Sequence, residues 1–140
     1  QTVVIAPSNP IVSIGPVVAV PGISEALAAR RDDVVAVSPI VAGSALKGPA
    51  ERMLRELGHE PTVVGVARLY RDLAATLVID TADAALAEAV EAEGMACVVT
   101  PTVMTDVDVA TDLCRSILSP DLSGGPSAGL SAGSGVGGAR

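Results

Sequence analysis

Thr2–Ala6 reads TVVIA and is cut short by Pro7, and this pattern recurs along the chain. Val34–Ser38 (VVAVS) is stopped by Pro39, and Ala96–Thr100 (ACVVT) by Pro101, while Thr76–Asp80 (TLVID) ends on an aspartate. Such short, continuous β-branched runs describe strands buried on both faces, not strands with one wet side. Helical stretches follow the runs. Pro21–Gly22 opens a helix through about Arg31, Pro49 takes a first-turn position for a helix to about Leu57 with Gly58 closing it, and Pro61–Thr62 leads a helix toward Tyr70. An Ala/Glu-rich helix covers Ala82–Glu93 and stops at Gly94, and Asp106 or Asp108 caps a last helix reaching about Leu118. Strand followed by helix, four times over, predicts an α/β fold. Its sheet should be Rossmann-like and mostly parallel, with flanking helices and about four strands, as part of a larger domain.

The composition agrees. Of 140 residues 49% are apolar, Tyr70 is the single aromatic, and Phe and Trp are absent, so the core is one of small and β-branched side chains. A net charge of −7 argues against a nucleic-acid surface. No apolar run approaches the ~20 residues of a membrane span. Cys97 and Cys114 read as two buried thiols without zinc spacing. From Ser119 onward the sequence is almost all Gly, Ser, Ala and Pro, so the folded domain is expected over residues 1–118, with a flexible tail over 119–140.

In parallel sheets ligands bind at the C-terminal strand ends, which makes the loops Pro7–Gly15, Pro39–Gly48 and Pro101–Val107 the candidate site. In the first, prolines flank Ser8 and Asn9 and fix how they are presented. Ser13 and Gly15 follow where a helix start offers N–H groups to an anion. An ordinary strand exit with an Asx turn at Asn9 accounts for the same residues. Lys47 precedes Gly48-Pro49 at a helix start, as a phosphate-facing cation or a solvated lysine. Asp106 caps the last helix, or faces the cleft beside Thr105. His59 reads as a surface or C-cap histidine, and Glu88, Glu91 and Glu93 as a solvated helix face.

The wider context of the first loop, APSNPIVSIGPVVAVPGISEAL over Ala6–Leu27, resembles the signature of the 2-phospho-L-lactate transferase / phosphoenolpyruvate transferase family of coenzyme F-420 biosynthesis. Val34–Leu54 resembles its next strand, with Ser-Pro-Ile from Ser38 and a Lys-Gly pair before a helix. Thr102–Asp106 resembles its late Leu-Met-Thr-Asp element. The likeness spans residues 2 to about 118 and corresponds to the family's C-terminal half. It implies a cytoplasmic, magnesium-dependent phosphotransferase. Such an enzyme moves a phospholactyl or phosphoenolpyruvyl group from a guanosine diphosphate-linked (GTP-derived) donor to the deazaflavin precursor 7,8-didemethyl-8-hydroxy-5-deazariboflavin and releases GMP.

Carried onto this sequence, the expected substrate- and nucleotide-binding residues are Pro7, Ser8, Asn9, Ser13, Gly15, Ser38, Lys47, Gly48, Thr105 and Asp106. Catalytic residues and metal ligands are left unassigned, and a homodimer is expected. The family's Gly-rich first half and its Asn-x-Gly-Asp-Asp element are missing from these residues, so the chain alone is expected not to turn over substrate. Asp32–Asp33 precede a strand instead of following one. Gly135–Arg140 resembles the family's N-terminal Gly-rich element, either by coincidence in a Gly/Ser tail or through permutation. Tyr70 is the one side chain able to offer an aromatic platform to the deazaflavin. Two alternatives remain. A related family of sugar-nucleotide-binding regulators carries a Gly-Pro-Gly-Ser type loop where this chain has Pro7-Ser8-Asn9-Pro10, and a catalytically inactive nucleotide-binding fragment is the other.

Overall fold

A computed structural model describes residues 1–45 and 49–118. Lys47, Gly48 and the expected tail, with Gly135–Arg140, lie outside the described residues. The strands are β1 (Val3–Ile5), β2 (Val34–Val37), β3 (Ile40–Val41), β4 (Ser44–Ala45), β5 (Thr76–Ile79) and β6 (Ala96–Val99). The α-helices are α1 (Gly15–Val18), α2 (Ile23–Ala28), α3 (Ala50–Glu56), α4 (Val63–Tyr70), α5 (Ala87–Ala92) and α6 (Val107–Leu118). Four strands make one parallel sheet in the order β1-β2-β5-β6, as the sequence leads one to expect.

Side chains alternate across that sheet. Ile5, Val34, Ala36, Leu77 and Ile79 face one layer, where Leu54 of α3, Val63, Val66, Ala67 and Tyr70 of α4, and Val90 of α5 pack on them. Val35, Val37 and Val78 face the other, under Leu113 and Ile117 of α6. β2 and β5 are buried along their whole length because both neighbours and both faces are covered. The two flanking strands are less so, with Val4 of β1 and Val99 of β6 exposed.

Helix ends follow local chemistry. Thr62 caps α4 through its hydroxyl, which accepts the Gly65 N–H. Gly58, at φ 78°, closes α3 with paired bonds: its own N–H to the Arg55 carbonyl and that of His59 to Leu54. At the N-terminal end of the sheet the Arg31 guanidinium donates to the carbonyls of Arg71 and Gly94 and ties three connections together.

Several readings from sequence need correction. Pro7–Gly15 is not all loop: Pro10–Ile14 forms one wide π-type turn that runs into α1. Pro39 onward is not a plain loop either, since β3 and β4 pair as an antiparallel hairpin. The Ala82–Glu93 stretch divides into a 3-10 segment, Thr81–Leu86, and α5. Cys114 is exposed and Cys97 half-buried. Glu93 is not solvated but holds both Arg68 and Arg71 in ion pairs. Tyr70 is 3% exposed inside the core and is closed to any ligand ring.

Candidate functional site

A cleft of about 630 Å³ opens at the C-terminal end of the sheet, within the size range of small-molecule sites. One wall is the turn after β1, with Pro7, Ser8, Asn9, Val12 and Ser13. Ser38 and Pro39, after β2, form its base, and Pro49 and Ala50 bring in the start of α3. The opposite wall is Thr102, Val103 and Met104, which follow β6. Parallel strands deliver all these connections to one end, which is why residues so far apart in sequence share one space.

Asn9 organises the first wall. Its Oδ1 accepts the N–H groups of Ile11, at 2.9 Å, and Val12, at 3.3 Å. Its carbonyl takes those of Ser13 and Ile14. The Asx-type turn is therefore present, and Asn9 still lines the cleft. These contacts also change the expected chemistry. The amides of residues 11 to 14 are committed to Asn9 and that of Gly15 to Pro10, so this turn does not offer an anion the free N–H groups anticipated from sequence. What remains is side-chain chemistry. Among the described residues the Ser8 and Ser13 hydroxyls have no internal hydrogen-bond partner, and the Asn9 amide points at the Met53 sulfur, 3.6 Å away.

The other expected residues are placed as follows. Ser38 is buried at the base, its hydroxyl donating to the Ile40 carbonyl and accepting the Ile40 N–H, both at 3.1 Å. Gly15 sits at the junction of the π turn and α1, where a Cβ would come within 3.1 Å of the Pro10 carbonyl oxygen. Thr105 and Asp106 are exposed and do not line the cleft. Asp106 caps α6, its Oδ1 accepting the N–H groups of Asp108 and Val109. The Val109 amide, the Thr105 hydroxyl and the Asp108 amide hold its pKa below the usual carboxylate value against slight desolvation.

The loop Pro101–Val107 was expected in the site from sequence, but Thr102, Val103 and Met104, the residues of it that line the cleft, were not singled out there, and Thr105 and Asp106 were named instead. The proline stop at Pro101 marked the loop, as Pro7 and Pro39 marked theirs, but carries no signal for which of its residues turn inward. Sequence reasoning missed Asp80, directly after β5, whose Oδ2 accepts both the Thr102 N–H at 2.8 Å and the Thr102 hydroxyl at 3.1 Å.

Among the described residues the cleft lining supplies hydroxyls, one amide and apolar surface but no carboxylate. Asp80 and Asp83 are buried, with carboxylate oxygens turned to internal donors, and no group of three or more His, Cys, Asp or Glu stands together among the described residues. This donor set does not fit a magnesium site. No helix among the described residues is long and apolar enough to cross a membrane.

Relatives converge on one family. A profile described as 2-phospho-L-lactate transferase CofD matches residues 1–117. The chain is 44% identical over 120 residues to a phosphoenolpyruvate transferase of Kitasatospora aureofaciens, covering 85% of this chain and 37% of that protein. It is 39% identical over 117 residues to a 2-phospho-L-lactate transferase of Methanococcoides burtonii, covering 84% and 38%. A second archaeal 2-phospho-L-lactate transferase, from Methanocaldococcus jannaschii, is 39% identical over 116 residues, covering 83% and 36%. The chain thus spans little more than a third of the length of these curated relatives. With the profile covering residues 1–117, the chain belongs to the 2-phospho-L-lactate transferase family.

Proposed function

We propose that this chain forms a substrate-binding wall of a transferase in coenzyme F-420 biosynthesis. The enzyme moves a phospholactyl or phosphoenolpyruvyl group from a guanosine diphosphate-linked donor to the deazaflavin precursor and releases GMP. The observation that carries the reading is the cleft itself, in which the Ser8–Ser13 turn faces Thr102–Met104 across the strand ends. In the transfer, an acceptor hydroxyl oxygen bonds to the phosphorus of the moving group. The bond from that phosphorus to the GMP oxygen breaks, its electron pair stays on GMP, and the hydroxyl proton passes to solvent. Such chemistry asks the protein mainly for positioning and for donors to phosphate oxygens. The Ser8 and Ser13 hydroxyls and the Asn9 amide are suited to the second task, with Lys47 as a point charge. Gly15, Thr105 and Asp106 would complete the surround from outside the cleft lining, and Gly48 belongs to the proposed binding set with Lys47.

The apolar lining, Pro7, Val12, Pro39, Val103 and Met104, suits a flat ring in place of the aromatic platform that Tyr70 does not provide. Magnesium belongs to the proposed reaction as a neutraliser of phosphate charge, held by ligands other than the cleft residues described here. A cytoplasmic homodimer completes the proposal.

Calorimetry on this chain with GDP and with UDP-N-acetylglucosamine tests the reading. Binding of GDP in clear preference to the sugar nucleotide is expected. Preference for the sugar nucleotide, or binding of neither, would sink it.

A further inference from the structure

The Thr102–Met104 wall has little to hold it. The β5–β6 ladder ends where the Thr100 N–H reaches the Ile79 carbonyl, and Pro101 has no N–H to continue it. Beyond that point the internal bonds of this wall among the described residues are the Thr105 N–H to the Val103 carbonyl and the two bonds from Thr102 to Asp80. Thr102 is 4% exposed although its neighbours border open space, so something draws it inward against the run of the chain.

Asp80 does so with only half of its carboxylate. Oδ1 serves its own turn, accepting the Ala82 N–H at 2.9 Å and the Thr81 hydroxyl at 3.3 Å. That cap would satisfy the start of the 3-10 segment by itself. Oδ2 is turned to the far side, onto Thr102. No cation pairs with Asp80 among the described residues, and four N–H and O–H donors carry the charge instead. A serine or asparagine could cap the turn as well, but neither would present a second charged acceptor to both donors of Thr102.

We infer that Asp80 is a positioning residue of the cleft, its second carboxylate oxygen fixing the Thr102–Met104 wall at the distance at which ligand is held against the Ser8–Ser13 turn. This rests on the nucleotide-binding reading of the cleft and adds to it a residue that does not itself line the site. The strand that carries Asp80 is central and fully buried, so the anchor point is rigid and the wall takes its position from the core of the sheet.

The test uses the whole chain with Asp80→Asn and Thr102→Ala, reading amide hydrogen exchange and GDP affinity together. Asp80→Asn should speed exchange at Thr102 about tenfold or more, leave Leu77 and Val78 protected, and weaken GDP about tenfold. Thr102→Ala keeps the N–H bond and loses the hydroxyl bond, so about a threefold weakening is expected. If Asp80→Asn does not fold, Thr102→Ala decides, since it leaves the cap intact, and unchanged GDP affinity there overturns the inference. Unchanged Thr102 exchange in Asp80→Asn overturns it, as does released exchange with wild-type affinity, and in both cases the binding reading survives. Failure of the wild-type chain to bind GDP removes that reading and this inference with it.

Discussion

The carbonyl carbon of Glu60 lies 2.8 Å from where a Cβ on Gly65 would stand, with the Glu60 carbonyl oxygen closer still. Gly65 is therefore small for a steric reason: the incoming chain crosses the first turn of α4 in contact with its backbone. In an open helix Gly→Ala stabilises by up to about 1 kcal/mol. Here Gly65→Ala should instead destabilise by about 1–3 kcal/mol, because either Glu60 or the helix must move. Urea unfolding should show a lower midpoint at unchanged slope, and an unchanged or higher midpoint would refute the close approach.

Asn9 should give a divided result. Asn9→Ala removes the acceptor for Ile11 and Val12 and is expected to cost about 1 kcal/mol of stability along with nucleotide affinity. Asn9→Asp retains the acceptor and replaces the amide donor by a negative charge. Thermal melting should stay near wild type in Asn9→Asp while GDP affinity falls. Equal melting of Asn9→Ala and wild type would show that the turn does not depend on this cap.

Ser8 and Ser13 carry hydroxyls with no internal partner among the described residues, so their loss should leave folding almost untouched, within about 0.5 kcal/mol. Each Ser→Ala change should weaken GDP by the equivalent of about 0.5–1.5 kcal/mol if the hydroxyl reaches a phosphate oxygen. Calorimetry on the two single variants and the double variant checks this, and wild-type affinity in the double variant would move the phosphates elsewhere.

The Asp80 carboxylate has a definite acid signature. Burial raises its pKa, but the Thr102 and Ala82 amides and the Thr102 and Thr81 hydroxyls outweigh that and leave it below the ordinary value. A folded pKa under the unfolded one, about 3.9, means that the stabilisation is complete above about pH 4 and is lost as pH falls through the lower folded value. The Thr102 amide resonance should therefore hold steady from pH 7 to about 4 and shift below it. In Asp80→Asn that acid step should disappear, and its persistence would assign it to another carboxylate.

Thiol chemistry should separate the two cysteines. Burial, and then the charge of Glu91, push the Cys97 thiol up to about 11, so at pH 8 about one molecule in a thousand carries the thiolate. Cys114 lies exposed on α6. A thiol reagent at pH 8 should modify one cysteine promptly and the other at least about a hundredfold more slowly, with peptide mapping placing the fast one at Cys114. Fast reaction at Cys97 would mean that β6 opens readily.

The parallel sheet was legible because β-branched runs closed by prolines carry their own boundaries, and the Thr62 cap and Gly58 closure are equally local signals. The β3–β4 hairpin was not legible, for a reason that lies 41 residues away. Its turn puts Ala42 at φ 51°, a conformation that favours Gly or Asn, and the Asp83 carboxylate accepts the Ala42 N–H at 2.9 Å. No local rule anticipates an alanine there, because the compensating bond comes from the 3-10 segment after β5. The site divides the same way. Ser8, Asn9, Ser13 and Ser38 were found from loop composition and family likeness. Thr102 owes its place to Asp80, and the turn's committed amides follow from how Asn9 folds back on its own segment.

The order β1-β2-β5-β6 repeats the order of synthesis. Each strand of the sheet can dock on the one made before it, and none has to be threaded between two that are already paired. A chain emerging from a ribosome could therefore assemble this sheet in the direction of translation, with Asp80 in place before Thr102 arrives to meet it. The same vectorial order leaves both first and last strands at the margins, where exposed Val4 and Val99 mark the flanks on which neighbouring structure can still be laid down.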